Sequence, residues 1–129
     1  MIVATLLAAN VLVASAAPPA VPTESAVESL ALEWFKRMET GAIDRTQLTP
    51  DYSAQLTDGA VQEMSRYLKK YDFGAPPTGA KILLTRAAGD QTFYVVKLLF
   101  PRGDAGSLLI GLNADGKITG INLMSMAGD

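Results

Sequence analysis

From residue 80 onward the apolar positions come in runs rich in Val, Ile, Leu, Phe and Tyr. They are broken at Gly89-Asp90, at Arg102–Gly106 and at Asn113-Ala114-Asp115-Gly116. Gly/Asp/Asn clusters between such runs punctuate consecutive antiparallel strands, so residues 80–124 read as a four-stranded meander. In the first strand, alternation sets Ile82 and Leu84 on one face and Lys81, Leu83 and Thr85 on the other. The second sets Phe93, Val95, Lys97 and Leu99 against Tyr94, Val96, Leu98 and Phe100, so both faces carry apolar residues. An antiparallel sheet with one face in water has a cleaner division. Two explanations follow: either the sheet wraps a helix or pocket while its outer face meets a partner, or the core is thick. Leu108, Ile110 and Leu112 give the third strand one apolar face, and the fourth runs from Ile118 to Met124 with a small residue at Gly120.

Upstream the period changes from two to between three and four. Val27, Leu30, Trp34 and Met38, with Ala31 and Phe35 beside them, form one face of a helix ending near Thr40. Ser25 and Glu28 have the spacing of a capping box, Glu33 is placed to pair with Arg37, and Gly41 is the natural stop. Asp44, and Thr49 followed by Pro50, signal two short helical turns, packed by Ile43, Leu48, Tyr52 and Leu56. A further helix is predicted from Gly59 to Phe73, capped by Asp58 or Thr57 and stopped by Gly74, with Val61, Met64, Leu68 and Tyr71 inward. Arg66, Lys69 and Lys70 form a positive patch that reads as a solvated helix face or as an anion-binding surface. These helical stripes are the available cover for the sheet. The fold class is therefore α+β, with N-terminal helices packed on a four-stranded antiparallel meander.

The first seventeen residues, MIVATLLAANVLVASAA, carry no charged side chain and end in small residues. They fit a signal peptide cut after Ala16 or Ala17, although Lys or Arg is missing from the start; an apolar helix of the mature fold is the other reading. Residues 18–24, with three prolines, read as an exposed tether, and 25–129 as a single domain. The expected location is outside the cytoplasm, periplasmic or secreted, with no stable membrane insertion once the segment is cut.

Composition narrows the chemistry. With 49% hydrophobic and 19% charged residues the chain is too apolar for a disordered protein, and a net charge of −2 gives nucleic acid no attraction. The absence of both Cys and His excludes disulfides, thiolate nucleophiles, His bases and Cys/His zinc sites. No glycine-rich phosphate loop or calcium loop is present, so no cofactor and no metal is expected. The predicted strands contain neither Asp nor Glu, and Asp90, Asp104 and Asp115 sit in turns. No catalytic residue is assigned. Polar-tipped candidates for the interior are Trp34, Tyr52, Tyr67, Tyr71, Tyr94, Arg86 and Lys97. The ligand-binding set is Trp34, Tyr67, Lys97 and Tyr94, with Lys97 either lining a pocket or lying on a solvated face.

Two capped helices with a corner between them, then a meander whose last hairpin reads Leu112-Asn113-Ala114-Asp115-Gly116-Lys117-Ile118, resemble the NTF2-like (cystatin-like α+β) superfamily. The likeness is to its small secreted bacterial members, which are similar to domains found in front of serine-hydrolase or β-lactamase-like enzymes. It covers roughly residues 25–124. The resemblance implies a curved sheet wrapped over the first helix as a cone, a small apolar ligand at its open end, and dimerisation through the outer sheet face. No strand is found between residues 41 and 58, where the superfamily usually has one. Three functions follow in order: an exported non-catalytic domain that binds a protein partner or itself, a binder of a small apolar molecule, and an isomerase-like enzyme.

Overall fold

The computed structural model describes residues 22–71 and 75–127. The signal-peptide reading, most of the Pro-rich tether and Gly74 lie outside these residues. Helix α1 spans Glu24–Thr40, a 3-10 turn Arg45–Gln47, α2 Pro50–Gln55 and α3 Asp58–Tyr71. Strands β1 (Gly79–Ala88), β2 (Gln91–Leu99), β3 (Ala105–Asn113) and β4 (Ile118–Ala127) form one open antiparallel sheet in sequence order. The α+β architecture is as the periodicity predicts.

Helix α1 begins earlier than the Ser25 capping box places it. Thr23 is the cap, its Oγ1 accepting from Ala26 N at 3.1 Å. Glu28 reaches sideways instead, and its Oε2 accepts the Ile82 N–H of β1 at 3.2 Å. A carboxylate on an edge strand satisfies a donor that would otherwise invite another chain. At the other end Gly41 takes φ +81°, and its N–H closes on the Arg37 carbonyl at 2.8 Å. A side chain is disfavoured in that left-handed conformation, which explains Gly at the stop. Glu33 and Arg37 pair at 2.8 Å.

In the corner, Asp44 caps the 3-10 turn and Thr49 caps α2, with Pro50 at its first position. Arg45 closes α2 from outside, donating to the Ser53 carbonyl at 2.7 Å and the Leu56 carbonyl at 2.8 Å. Thr57 caps α3, accepting from Ala60 N at 3.2 Å. No strand forms here; Leu48 makes a single parallel bridge to Ile118.

The core lies between α1 and one face of the sheet. Val27, Ala31, Trp34, Phe35 and Met38 come from α1, and Leu48 and Leu68 close the sides. Tyr94, Val96, Leu98, Phe100, Leu108, Ile110, Leu112 and Ile118 complete it from below. Phe35 meets Phe100 edge to face at 5.8 Å between centroids. The register sets the faces: Val96 opposes Ile82 and Leu108, and Tyr94 opposes Thr85 and Ile110.

Leu84 departs from the predicted alternation. A β-bulge at Leu83 shifts the register, so Ile82 opposes Val96 but Leu84 opposes Val95, on the far side of the sheet. One inserted residue reverses every later side chain of the strand. Two further register shifts interrupt the β3–β4 pairing, opposite Ser107/Leu108 and Gly111/Leu112.

Candidate functional site

The helices cover one sheet face and leave the other open. The open face carries Leu84, Val95 and Leu109 as a cross-strand row, with Phe93 and Leu99 on the same side of β2. Leu84 is 49% exposed, Leu99 is exposed as well, and Phe93, Val95 and Leu109 are half-buried. Lys97 belongs to this face, directly opposite Lys81, and Arg86 lies opposite Phe93. The surplus of apolar residues legible in β2 is thus a real surface, extended to β1 by the bulge and to β3 by Leu109.

The four residues expected to share a ligand are not brought together. Trp34 is fully buried, and its Nε1 donates to Gln47 Oε1 at 3.0 Å. Gln47 Nε2 in turn donates to Asp44 Oδ2 at 3.0 Å, so the indole is tied to the corner. Tyr67 is 45% exposed on the outside of α3, and Lys97 faces away from Trp34 and Tyr94. Of the other interior candidates, Arg86 faces outward and Tyr52 is half-buried, its hydroxyl donating to the Ile121 carbonyl at 3.4 Å. The side chain of Tyr71 lies outside the described residues, and Arg66, Lys69 and Lys70 are all exposed.

Of that set, Tyr94 borders a groove. About 570 Å³ in volume, the groove opens where the first turn of α1 passes the β1–β2 and β3–β4 turns. Ala26, Val27, Leu30, Tyr94 and Leu112 give it apolar walls, and Asp90, Gln91, Thr92, Asn113 and Asp115 bring polar groups. Tyr94 is 4% exposed, and no hydrogen bond to its hydroxyl is present among the described residues. A second, smaller hollow of about 230 Å³ lies between α1, the corner and α3, lined by Met38, Ile43, Tyr52, Leu56, Met64 and Ile121.

Two titratable groups of the corner, Asp44 and Tyr52, are perturbed. Hydrogen bonds from the Thr46 hydroxyl at 2.6 Å, Gln47 Nε2 at 3.0 Å and Thr46 N at 3.1 Å hold the Asp44 carboxyl below the ordinary Asp value of 3.8. A carboxylate stabilised in the folded state titrates lower there than in the unfolded chain. Its contribution is therefore present above the unfolded pKa and disappears as pH falls through the folded one. An NMR titration is expected to place the Asp44 midpoint below 3.8, and a midpoint at or above it would mean these hydrogen bonds do not persist in solution. Burial raises the Tyr52 phenol above 10, so that contribution is lost as pH climbs past it.

Neither perturbed group lines the larger groove. The buried carboxylate among the described residues, Glu39, does not line it either; the Ser65 hydroxyl donates to the Glu39 backbone carbonyl beside it. Among the described residues no group of three or more Asp or Glu is placed to hold a metal ion, and no helix is long and apolar enough to cross a membrane. Set against protein-family models, curated proteins and solved structures, the chain finds no match in any of the three comparisons.

Proposed function

We propose that the chain is an exported, non-catalytic α+β domain that docks a protein through its uncovered sheet face. The observation that carries this is the apolar row of exposed Leu84 and half-buried Val95 and Leu109, left uncovered on a sheet whose other face packs against the core. Contiguous apolar surface beyond isolated residues marks an interaction site in a water-soluble domain. Export is supported by residues 1–17, and an NTF2-like cone by the order of helices, corner and meander.

The native protein, recovered from the cell envelope or medium, is expected to begin after Ala16 or Ala17 and to migrate in a complex heavier than one chain. Replacing Leu84 and Leu109 together by Glu should release it as a monomer with its melting temperature unchanged within about 5 °C. Wild-type protein that runs as a monomer in native extract would remove the docking reading, and an intact Met1 would remove export.

The groove at Tyr94 supports a second reading, the binding of a small apolar molecule with one hydrogen-bonding group. A volume of about 570 Å³ falls in the range of ligand sites, and a phenol that has no hydrogen-bond partner among the described residues is a natural handle in an apolar wall. Titration with the fluorescent amine 1-aminoanthracene is expected to saturate, and Tyr94→Phe to weaken it about five-fold, the value of one hydrogen bond. Absence of saturable binding would discard this reading.

A further inference from the structure

We infer that the uncovered sheet face is built for a partner of opposite charge: a different protein that presents carboxylates around an apolar contact, not a second copy of this chain. The inference rests on the docking reading above and narrows it. Across the four strands the charged side chains are Lys81, Arg86 and Lys97, all cationic. All three project from the uncovered face, because Lys81 opposes Lys97 and Arg86 opposes Phe93 in the register. None takes part in an ion pair among the described residues; the pairs present are Glu33–Arg37, Arg45–Asp58 and Arg102–Asp104, none of them on that face. The carboxylates of the described chain sit on helices, in the corner and in turns, so the chain is acidic overall while this face is basic.

The arrangement is costly without a partner. Like charges directly opposite on neighbouring strands are destabilising, and nothing in the described fold neutralises Lys81 and Lys97. Along β2, Lys97 lies on one side of the cross-strand apolar row and the Phe93–Arg86 pair on the other. Four residues of strand separate the two cationic positions, about 13 Å. A matching surface carries two acidic groups about that far apart with apolar side chains between them. A second copy of this face brings only further cations. An anionic bilayer supplies charge, but it rewards apolar side chains that reach about 5–10 Å into it. Leu84 and Leu99 are exposed on this face, but Phe93, Val95 and Leu109 between them are half-buried at the level of the sheet, which leaves little apolar surface to insert.

The test replaces Leu84 by the photoreactive p-benzoylphenylalanine in the full chain, expressed in its native host, with irradiation and mass spectrometry of the adducts. The expected adduct is a different protein, joined through a segment with excess Asp and Glu. Lys81→Glu with Lys97→Glu should lower its yield about ten-fold, and Lys81→Gln with Lys97→Gln less, in chains that melt normally. An adduct to a second copy, to a segment without excess acid or to lipid overturns the inference, as does a yield indifferent to charge reversal. A copy or a neutral protein would still leave the docking reading standing. No adduct of any kind removes both.

Discussion

Trp34→Ala is expected to destabilise the domain by about 3–5 kcal/mol, the upper range for truncating a single core side chain. The indole has no solvent exposure and belongs to the cluster in which α1 meets Leu48 and the covered sheet face. Two losses add. Removing the ring leaves a cavity that backbone on both sides cannot fill, and removing Nε1–H leaves Gln47 Oε1 without its donor at 3.0 Å. Small domains have a total stability of about 5–15 kcal/mol, so a large share disappears. Because this is the chain's single Trp, urea unfolding has to be followed by far-UV circular dichroism. Trp34→Phe retains most of the apolar volume and should cost distinctly less. A loss under about 1 kcal/mol for the Ala variant would show that the core does not close around this side chain.

Gly111→Ala should cost about 1–3 kcal/mol although it adds one methyl group to a strand. An added Cβ would lie 2.5 Å from Thr119 Oγ1 and 3.0 Å from Phe93 Cε1, closer than such contacts normally come. Phe93 crosses over Gly111 from β2, and Thr119 sits beside the register shift at Gly111/Leu112. Gly is needed here for close approach, not for an unusual dihedral. Thr119 Oγ1 is buried with no hydrogen-bond partner among the described residues, so removing it relieves the clash at small cost. Thr119→Ala combined with Gly111→Ala is therefore expected to recover about half of the loss in a double-mutant cycle. Strict additivity of the two would contradict the proximity.

The elements that sequence made legible are those fixed by local chemistry. Gly41, Asp44 and Thr49-Pro50 each act within a few residues of themselves, and each holds the role its type suggests. The meander is legible for the same reason, since its turns are written in Gly, Asp and Asn. Where a long-range contact decides, local reading fails. Glu28 has the spacing of a cap but pairs with β1, 54 residues away. Leu83 bulges out of register and carries Leu84 to the opposite face, a change no alternation pattern encodes.

The candidate site shows the same division. That β2 had a surplus apolar face is visible in alternation alone, whereas the assignment of Lys97 to that face required knowing which side the helices cover. Tyr67 follows the inward pattern closely enough to be misplaced, being one residue from the fully buried Leu68, yet a helix turns by about 100° per residue. The groove at Tyr94 has no sequence signature because its walls come from a helix start and two distant turn tips.

The way the corner is held has a consequence for when folding can finish. Leu48 bridges to Ile118, Thr49 N–H donates to the Ile118 carbonyl at 2.9 Å, Tyr52 reaches the Ile121 carbonyl, and Lys117 Nζ reaches the Thr46 carbonyl at 2.6 Å. Every one of these joins the first half of the chain to its last hairpin or strand. Loop closure over some 70 residues must precede their formation, which places such a fold toward the slower, millisecond-to-second end of two-state folding. Until β4 emerges, the ribosome-bound chain holds helices with no completed sheet to pack against. Under the proposed export, that delay keeps the polypeptide threadable through a secretion channel until β4 has been made.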